Sequence, residues 1–206
     1  IKTQAGEGSF CNPAFPTPSG GREILQVRIF DAINGAIAKA LPHRAMGAFS
    51  HWSNPNFGGL HDETGLPFVM YDLSLAGYGG RQGKDGVEAL SPVMNCSNIP
   101  VEVHETHNPI RVRRIEFIQD SGGPGKWRGG CGLRKDIEML NSTAVLSHLG
   151  DRHRFPSYGL FGGEPGTLAE TFLNPDGNAE PLHSKGMYDL KKGDVVSFRL
   201  SGAGGY

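Results

Sequence analysis

Glycine constrains this chain more than any other residue. Thirty-one glycines and 14 prolines are spread over 206 residues, and the glycines fall in tight clusters between short apolar runs. Glycine reaches backbone conformations closed to other residues, so such clusters predict many sharp turns. Residues 77–86 in particular are predicted as a loop that only glycine shapes freely. Glycine and proline together make 45 of 206 residues, below the ~25–30% that marks low-complexity disorder. A hydrophobic share of 37% leaves material for a real core.

Charge and cysteine narrow the function classes. Twenty Lys and Arg stand against 21 Asp and Glu. A near-neutral chain argues against a dedicated binder of nucleic acid or of a membrane surface. No apolar run approaches the ~20 residues that span a bilayer, and no signal-peptide pattern opens the chain. Cys11, Cys96 and Cys131 cannot all pair with one another, and their spacing fits no zinc or redox motif. The expected home is the reducing cytoplasm. The chain opens at Ile1 without Met and reads as a piece of something longer.

The predicted fold class is α+β, with residues 1–86 forming one long helix plus a loop-rich segment and residues 87–206 a mainly antiparallel β domain. Leu25, Ile29, Phe30, Ile33, Ala36, Ile37, Ala40 and Leu41 recur at helical spacing, which predicts a helix of about 19 residues. Ser19 would cap it and Pro42 would end it. Short strands are expected around 46–52 and 67–73. Beyond residue 87 the pattern reads as strands, clearest at 110–118, 144–149 and 195–200. Turn clusters between them suggest a sandwich or barrel-like arrangement.

No phosphate loop is present. Gly83-Lys84 is followed by Asp85, and Gly125-Lys126 by Trp127, where a nucleotide loop needs Ser or Thr. His104-Glu-Thr-His107 has histidines three apart, whereas the zinc-protease motif needs four on a helix; the stretch is expected to be a strand. His61-Asp62-Glu63 gathers three proton-handling groups beside a glycine-rich segment; a solvated loop is its plainer reading. Cys96 and Cys131 read as small buried apolar residues. Arg128, Arg134, Lys135, Arg152, His153 and Arg154 could form an anion site, with solvated faces as the plainer alternative.

Ordered blocks along the chain add a resemblance. Gly6-Glu-Gly-Ser-Phe-Cys-Asn-Pro13, Asp62-Glu-Thr64, Gly79-Gly-Arg-Gln-Gly-Lys-Asp-Gly86 and Asp120-Ser-Gly-Gly-Pro-Gly-Lys-Trp-Arg-Gly-Gly-Cys-Gly132 follow one another, then Asp151-Arg-His-Arg-Phe-Pro156 and Gly159-Leu-Phe-Gly-Gly-Glu-Pro-Gly166. In this order they resemble the C-terminal part of the hydantoinase B / 5-oxoprolinase family, the B subunits of ATP-dependent N-methylhydantoinase type. The resemblance implies ATP-dependent opening of a cyclic amide: a hydantoin, 5-oxoproline or a lactam. It implies that ATP and Mg are bound by a hydantoinase A-type partner subunit, and that the remainder of the B subunit completes the site. A divalent metal would belong to that upstream remainder. Carried onto matching positions, it implies Glu63 as catalytic base or polariser, with Arg81, Asp85, Asn98 and Glu102 shaping the substrate side. An acetone-carboxylase-type carboxylase subunit and a non-catalytic assembly domain are the alternatives.

Overall fold

A computed structural model describes residues 4–90, 93, 94 and 96–206. The chain is α+β, and two antiparallel sheets carry most of it. The larger sheet joins β5 (Ile110–Ile118), β6 (Gly132–Met139), β11 (Val195–Arg199), β8 (Glu170–Leu173) and β9 (Glu180–Pro181) in that order. The smaller joins β10 (Lys185–Lys191), β7 (Thr143–Leu149), β2 (Asn56–Leu60) and β3 (Pro67–Tyr71). A two-stranded ribbon pairs β1 (Trp52–Ser53) with β4 (Ser74–Leu75). Strands β2 and β3 thus share a sheet with β7 and β10 from the other half of the chain.

The sheets face each other across the main core. Phe57, Phe68, Met70, Leu146 and Leu190 come from one side; Ile110, Leu133, Ile137, Val196 and Phe198 come from the other. Phe57 and Phe198 meet edge to face, with centroids 6.3 Å apart and ring planes at 88°, the geometry that ring quadrupoles favour. The strands expected at 110–118, 144–149 and 195–200 are β5, β7 and β11. Burial follows the expected alternation in β7, whereas β5 is exposed after Ile110 apart from partly buried positions and β11 is buried on both faces at residues 195–198.

Helix α1 (Arg22–Ala38) corrects the predicted cap and the predicted face. Gly21, at φ 74°, stands at its N-terminus, and no side chain caps it. Its buried residues are Ile24, Val27, Asp31, Asn34 and Ala38. The predicted apolar stripe lies largely outside: Ile29, Ile33 and Leu41 are exposed. The reason is the extended segment 45–50, whose backbone polar groups need partners once buried. Asp31 Oδ1 accepts from Phe49 N at 3.0 Å, and the Asn34 amide bonds Met46 on both sides. Two polar side chains therefore face inward and turn the isoleucines to solvent. Ile24 and Val27 close a second core with Phe49, Trp52 and Leu75. The expected strand at 46–52 is mostly this extended segment.

Residues 101–107 are also corrected: they form helix α2 (Val101–His107), following Pro100, and not a strand. The glycine clusters required a larger revision. Among the described glycines only 8, 21, 65, 83, 162 and 193 have positive φ. The rest of residues 77–86, with 121–132, 157–166 and 202–206, converge into a block where backbone packs directly on backbone. Hydrogen bonds run from Gly47 N to Gly80 O, Gly80 N to Gly204 O, Gly130 N to Tyr78 O and Gly123 N to Ala203 O. A Cβ on Gly79 would lie 1.8 Å from Gly47 O, and one on Gly204 would lie 1.9 Å from Tyr158 O. Glycine is needed there for close approach and not for turning.

Candidate functional site

The turn between β2 and β3 carries His61, Asp62 and Glu63. Gly65, at φ 66°, closes it, with Gly65 N donating to His61 O. The structure divides the trio by role. The Asp62 carboxylate accepts from Ser142 N at 2.7 Å and from Ser142 Oγ at 2.6 Å, and Asp62 N donates to Asn141 Oδ1. These bonds hold its carboxyl below the usual carboxylate range. Asp62 thus clamps the turn onto the β6–β7 connection. Glu63 stays exposed on the same turn, with no hydrogen bond among the described residues.

A hollow of about 430 Å³ opens beside Glu63, lined also by His61, Glu105, His107, Asn108, Asn141 and Lys192. The turn, α2, the β6–β7 connection and the loop after β10 each contribute to it. It gathers two imidazoles, an ammonium and three carboxylates, of which Asp62 is held by Ser142 and Glu105 accepts from Val112 N, while Glu63 has no hydrogen bond among the described residues. Such a set can move a proton and hold a polar substrate. Glu105 and His107 belong to the His104-Glu-Thr-His107 stretch, whose spacing gives no link to residues 61–63, and Lys192 arrives from 129 positions after Glu63. Nothing local in the sequence could have joined them.

The other predicted site residues lie elsewhere. Arg81 lines a second hollow, against α1, which shares no residue with the first. Asp85 Oδ1 accepts from Arg128 N at 2.9 Å, and Asn98 Oδ1 accepts from Leu75 N at 3.1 Å. Both side chains hold backbone in place. Glu102 sits in the first turn of α2, and its carbonyl accepts from the Thr106 hydroxyl.

His104 does not pair with His107 as a metal ligand set would. Its Nε2 lies 3.0 Å from Asp72 Oδ1, deep under the sheet. Lys135 Nζ reaches Asp72 Oδ2 at 2.6 Å, and the Ser74 hydroxyl donates to the same oxygen. Burial opposes the charge on Asp72, but its bonds to His104 and Lys135 prevail and keep its carboxyl low. Among the described residues no group of three or more His, Cys, Asp or Glu is arranged to hold a metal ion.

The basic residues 128–154 form no common anion site: Arg128 and Arg154 are exposed, as the solvated-face reading expects, and the others are partly or wholly buried. Arg152 Nη2 pairs with Asp31 at 2.6 Å, Arg134 with Asp136 at 2.8 Å and Arg128 with Glu88 at 2.8 Å. Arg154 lies over the Phe155 ring. His153 belongs to a buried group that no spacing signalled. Its ring is 5.6 Å from that of His51 and 5.8 Å from that of His148. Thr171 Oγ1 lies 3.1 Å from both His148 Nε2 and His153 Nε2. Burial first, then mutual repulsion, pushes the His148 ring down to about 3 and the His51 ring well below its ordinary range. Burial raises Asp31 and Asp151 to about 6, against the pull of Arg28. The three cysteines are free; Cys96 packs at the second core, and Cys131 is half-buried near Arg128.

Comparison with known proteins now bears on this geometry. The family model described as hydantoinase B/oxoprolinase matches residues 1–206. The chain belongs to that family.

Relatives within the family carry different names. The B subunit of a putative D-/L-hydantoinase from Pseudomonas sp. (strain NS671) is 34% identical over 167 residues, covering 81% of this chain and 28% of the relative. The beta subunit of caprolactamase from Pseudomonas jessenii is 26% identical over 212 residues, covering 97% of this chain and 36% of the relative. This hydantoinase B/oxoprolinase chain thus spans about a third of the length of these relatives. Its fold matches the crystal structure of the ATP-dependent caprolactamase from Pseudomonas jessenii with a TM-score of 0.75, at 21% identity, over 99% of this chain and 37% of that one. It matches nucleotide-free acetone carboxylase with a TM-score of 0.64, at 17% identity, over 79% of this chain and 26% of that one. No helix among the described residues is long and apolar enough to cross a membrane.

Proposed function

We propose that this chain is part of the B subunit of an ATP-dependent cyclic-amide hydrolase, and that Glu63 is the group it contributes to the reacting centre. Family membership across residues 1–206 supports the enzyme class. One observation carries the residue. Asp62 is locked to Ser142, while the adjacent Glu63 keeps an uncommitted carboxylate at the mouth of a polar hollow.

An unstrained amide is a poor electrophile, so ring opening needs activation that this chain does not carry. Neither lysine after a glycine has the Ser or Thr of a phosphate loop, and no ligand set for a metal occurs among the described residues. In this reading, as the family resemblance implies, ATP and Mg are bound by a hydantoinase A-type partner. The resemblance places any divalent metal in the remainder of the B subunit. The part left to this chain is acid–base work. Glu63 takes a proton from the water that attacks the activated carbonyl carbon, and His61 or His107 steadies the polar groups around it. Asp85 and Asn98 keep the surrounding backbone in shape. Glu102 stands in the first turn of α2, the helix whose Glu105 and His107 line the hollow. Arg81 lines the separate hollow against α1. The setting is the cytoplasm, where three unpaired thiols are stable.

The test uses the intact complex with its A-type partner. Glu63→Gln should lower turnover of a hydantoin, 5-oxoproline or a lactam by about 10²–10⁴-fold, the range of a lost general base. Normal turnover would remove Glu63 from the chemistry. The acetone carboxylase fold match keeps a second reading in play, a carboxylase subunit. Ketone-driven ATP use that depends on bicarbonate, and none with a lactam, would favour that reading. If every group within ~5 Å of bound substrate came from outside this chain, it would be an assembly domain.

A further inference from the structure

Nine of the twelve arginines make an ion pair with a carboxylate among the described residues. The three outside those pairs are Arg44, Arg81 and Arg154. Arg154 lies over a phenyl ring. The other two face the same hollow.

That hollow, about 480 Å³, lies between the C-terminal half of α1, the 3-10 turn at Pro42–Arg44 and the chain at Arg81. Its wall is apolar: Phe30, Ile33, Ile37, Ala45 and Met46. The Asn34 amide beside them is spent on both polar groups of the Met46 backbone. His43, Arg44 and Arg81 supply the remaining polar edge, and among the described residues no Asp or Glu lines the hollow. Arg81 lies near the Tyr78 hydroxyl, which burial favours in its neutral form.

We propose that this hollow binds a small organic carboxylate with a compact hydrocarbon body. Two guanidiniums present planar donor forks that match a carboxylate in a two-pronged contact. The wall rewards a ligand that brings apolar surface, because about 25 cal/mol accompanies each Å² removed from water. A bare inorganic anion would satisfy the arginines and leave Ile33 and Ile37 wet. The volume falls in the range of small-molecule sites. The site is separate from the Glu63 hollow, and the proposal stands on side-chain placement whether or not the hydrolase reading holds.

The intact subunit that carries these residues can be titrated at pH 7 and low salt with three probes: cyclohexanecarboxylate, cyclohexylmethanol and inorganic phosphate. Calorimetry gives affinities, and amide nuclear magnetic resonance shifts give the location. The carboxylate should saturate one site and move the resonances of Ile33, Ile37, Met46 and Arg81. The alcohol and the phosphate should each bind at least tenfold more weakly. Arg44→Gln should weaken the carboxylate at least tenfold with an unchanged melting temperature, because that side chain makes no hydrogen bond among the described residues. Ile37→Gln should weaken it without changing the response to phosphate. Phosphate binding as tightly as the carboxylate would overturn the assignment of ligand class. Wild-type affinity in Arg44→Gln, or shifts confined to the Glu63 turn, would overturn the site.

Discussion

Exchanging alanine for glycine at positions 79 and 83 separates two uses of glycine that lie four residues apart. Gly83 has φ 85° and open space around it. Alanine there bears only the left-handed backbone penalty, about 1–2 kcal/mol. Gly79 has ordinary φ, yet its Cβ would stand 1.8 Å from Gly47 O and 2.5 Å from Gly47 C. Relief needs a backbone shift, because both atoms it meets belong to the main chain. Overpacking costs about 1–3 kcal/mol even where side chains can yield. Here the shift also strains the bond from Gly47 N to Gly80 O at 2.8 Å, and a buried amide left unpaired costs about 1–3 kcal/mol more. Gly79→Ala should therefore lose about 4 kcal/mol, a large fraction of the 5–15 kcal/mol that a domain holds. Urea unfolding followed by circular dichroism, together with soluble yield, reads both variants. A Gly79→Ala protein within about 1 kcal/mol of wild type, or one more stable than Gly83→Ala, would refute close approach as the reason for glycine.

Three further perturbations test the interior and the clamp. His148 falls from 6.5 to about 3 on folding, so its neutral burial supports the fold fully above pH 6.5 and loses that support as pH falls toward 3. Linkage puts the loss at about 2 kcal/mol between pH 7 and pH 5. Asp31 and Asp151, raised to about 6, oppose this by gaining protons in the folded state. The signature is accordingly a difference: His148→Gln should flatten the pH dependence of the urea midpoint relative to wild type, and parallel curves would contradict it. Asp72→Asn leaves Lys135 buried without its carboxylate and should cost about 3–5 kcal/mol; calorimetry should show Asp72→Leu with Lys135→Met recovering most of that. Asp62→Ala removes the clamp on Ser142. It should leave the melting temperature nearly unchanged and lower turnover of the intact complex by freeing the Glu63 turn; unaltered kinetics would show that the clamp does not position Glu63.

Legibility from sequence followed the physics of each element. Strands with one face on the core, such as β7 with Ala144 and Leu146 buried, alternate and can be read. Strand β6 could not: Lys135, Asp136 and Glu138 are buried in a run that looks like a charged surface. Their partners, Asp72, Arg113 and Arg134, lie up to 63 positions away. Helix α1 announced its period correctly and its face wrongly, because Asp31 and Asn34 are drawn inward by the backbone of residues 45–50. Helix α2 is too short to show a period. At the candidate site the local trio was visible at residues 61–63. The separate duties of Asp62 and Glu63 depend on Ser142 and were not. The His51, His148 and His153 group is assembled by folding alone.

The glycine block also fixes an order of events during synthesis. Gly47 and Gly80 meet Gly204 and its neighbours through main-chain bonds, so the block cannot close until residues 202–206 have left the ribosome. At about 5–20 residues per second, the nascent chain carries these naked amides for about 8–30 s with only water to satisfy them. A long-delayed closure of this kind makes the glycine block one of the last parts of these 206 residues to form.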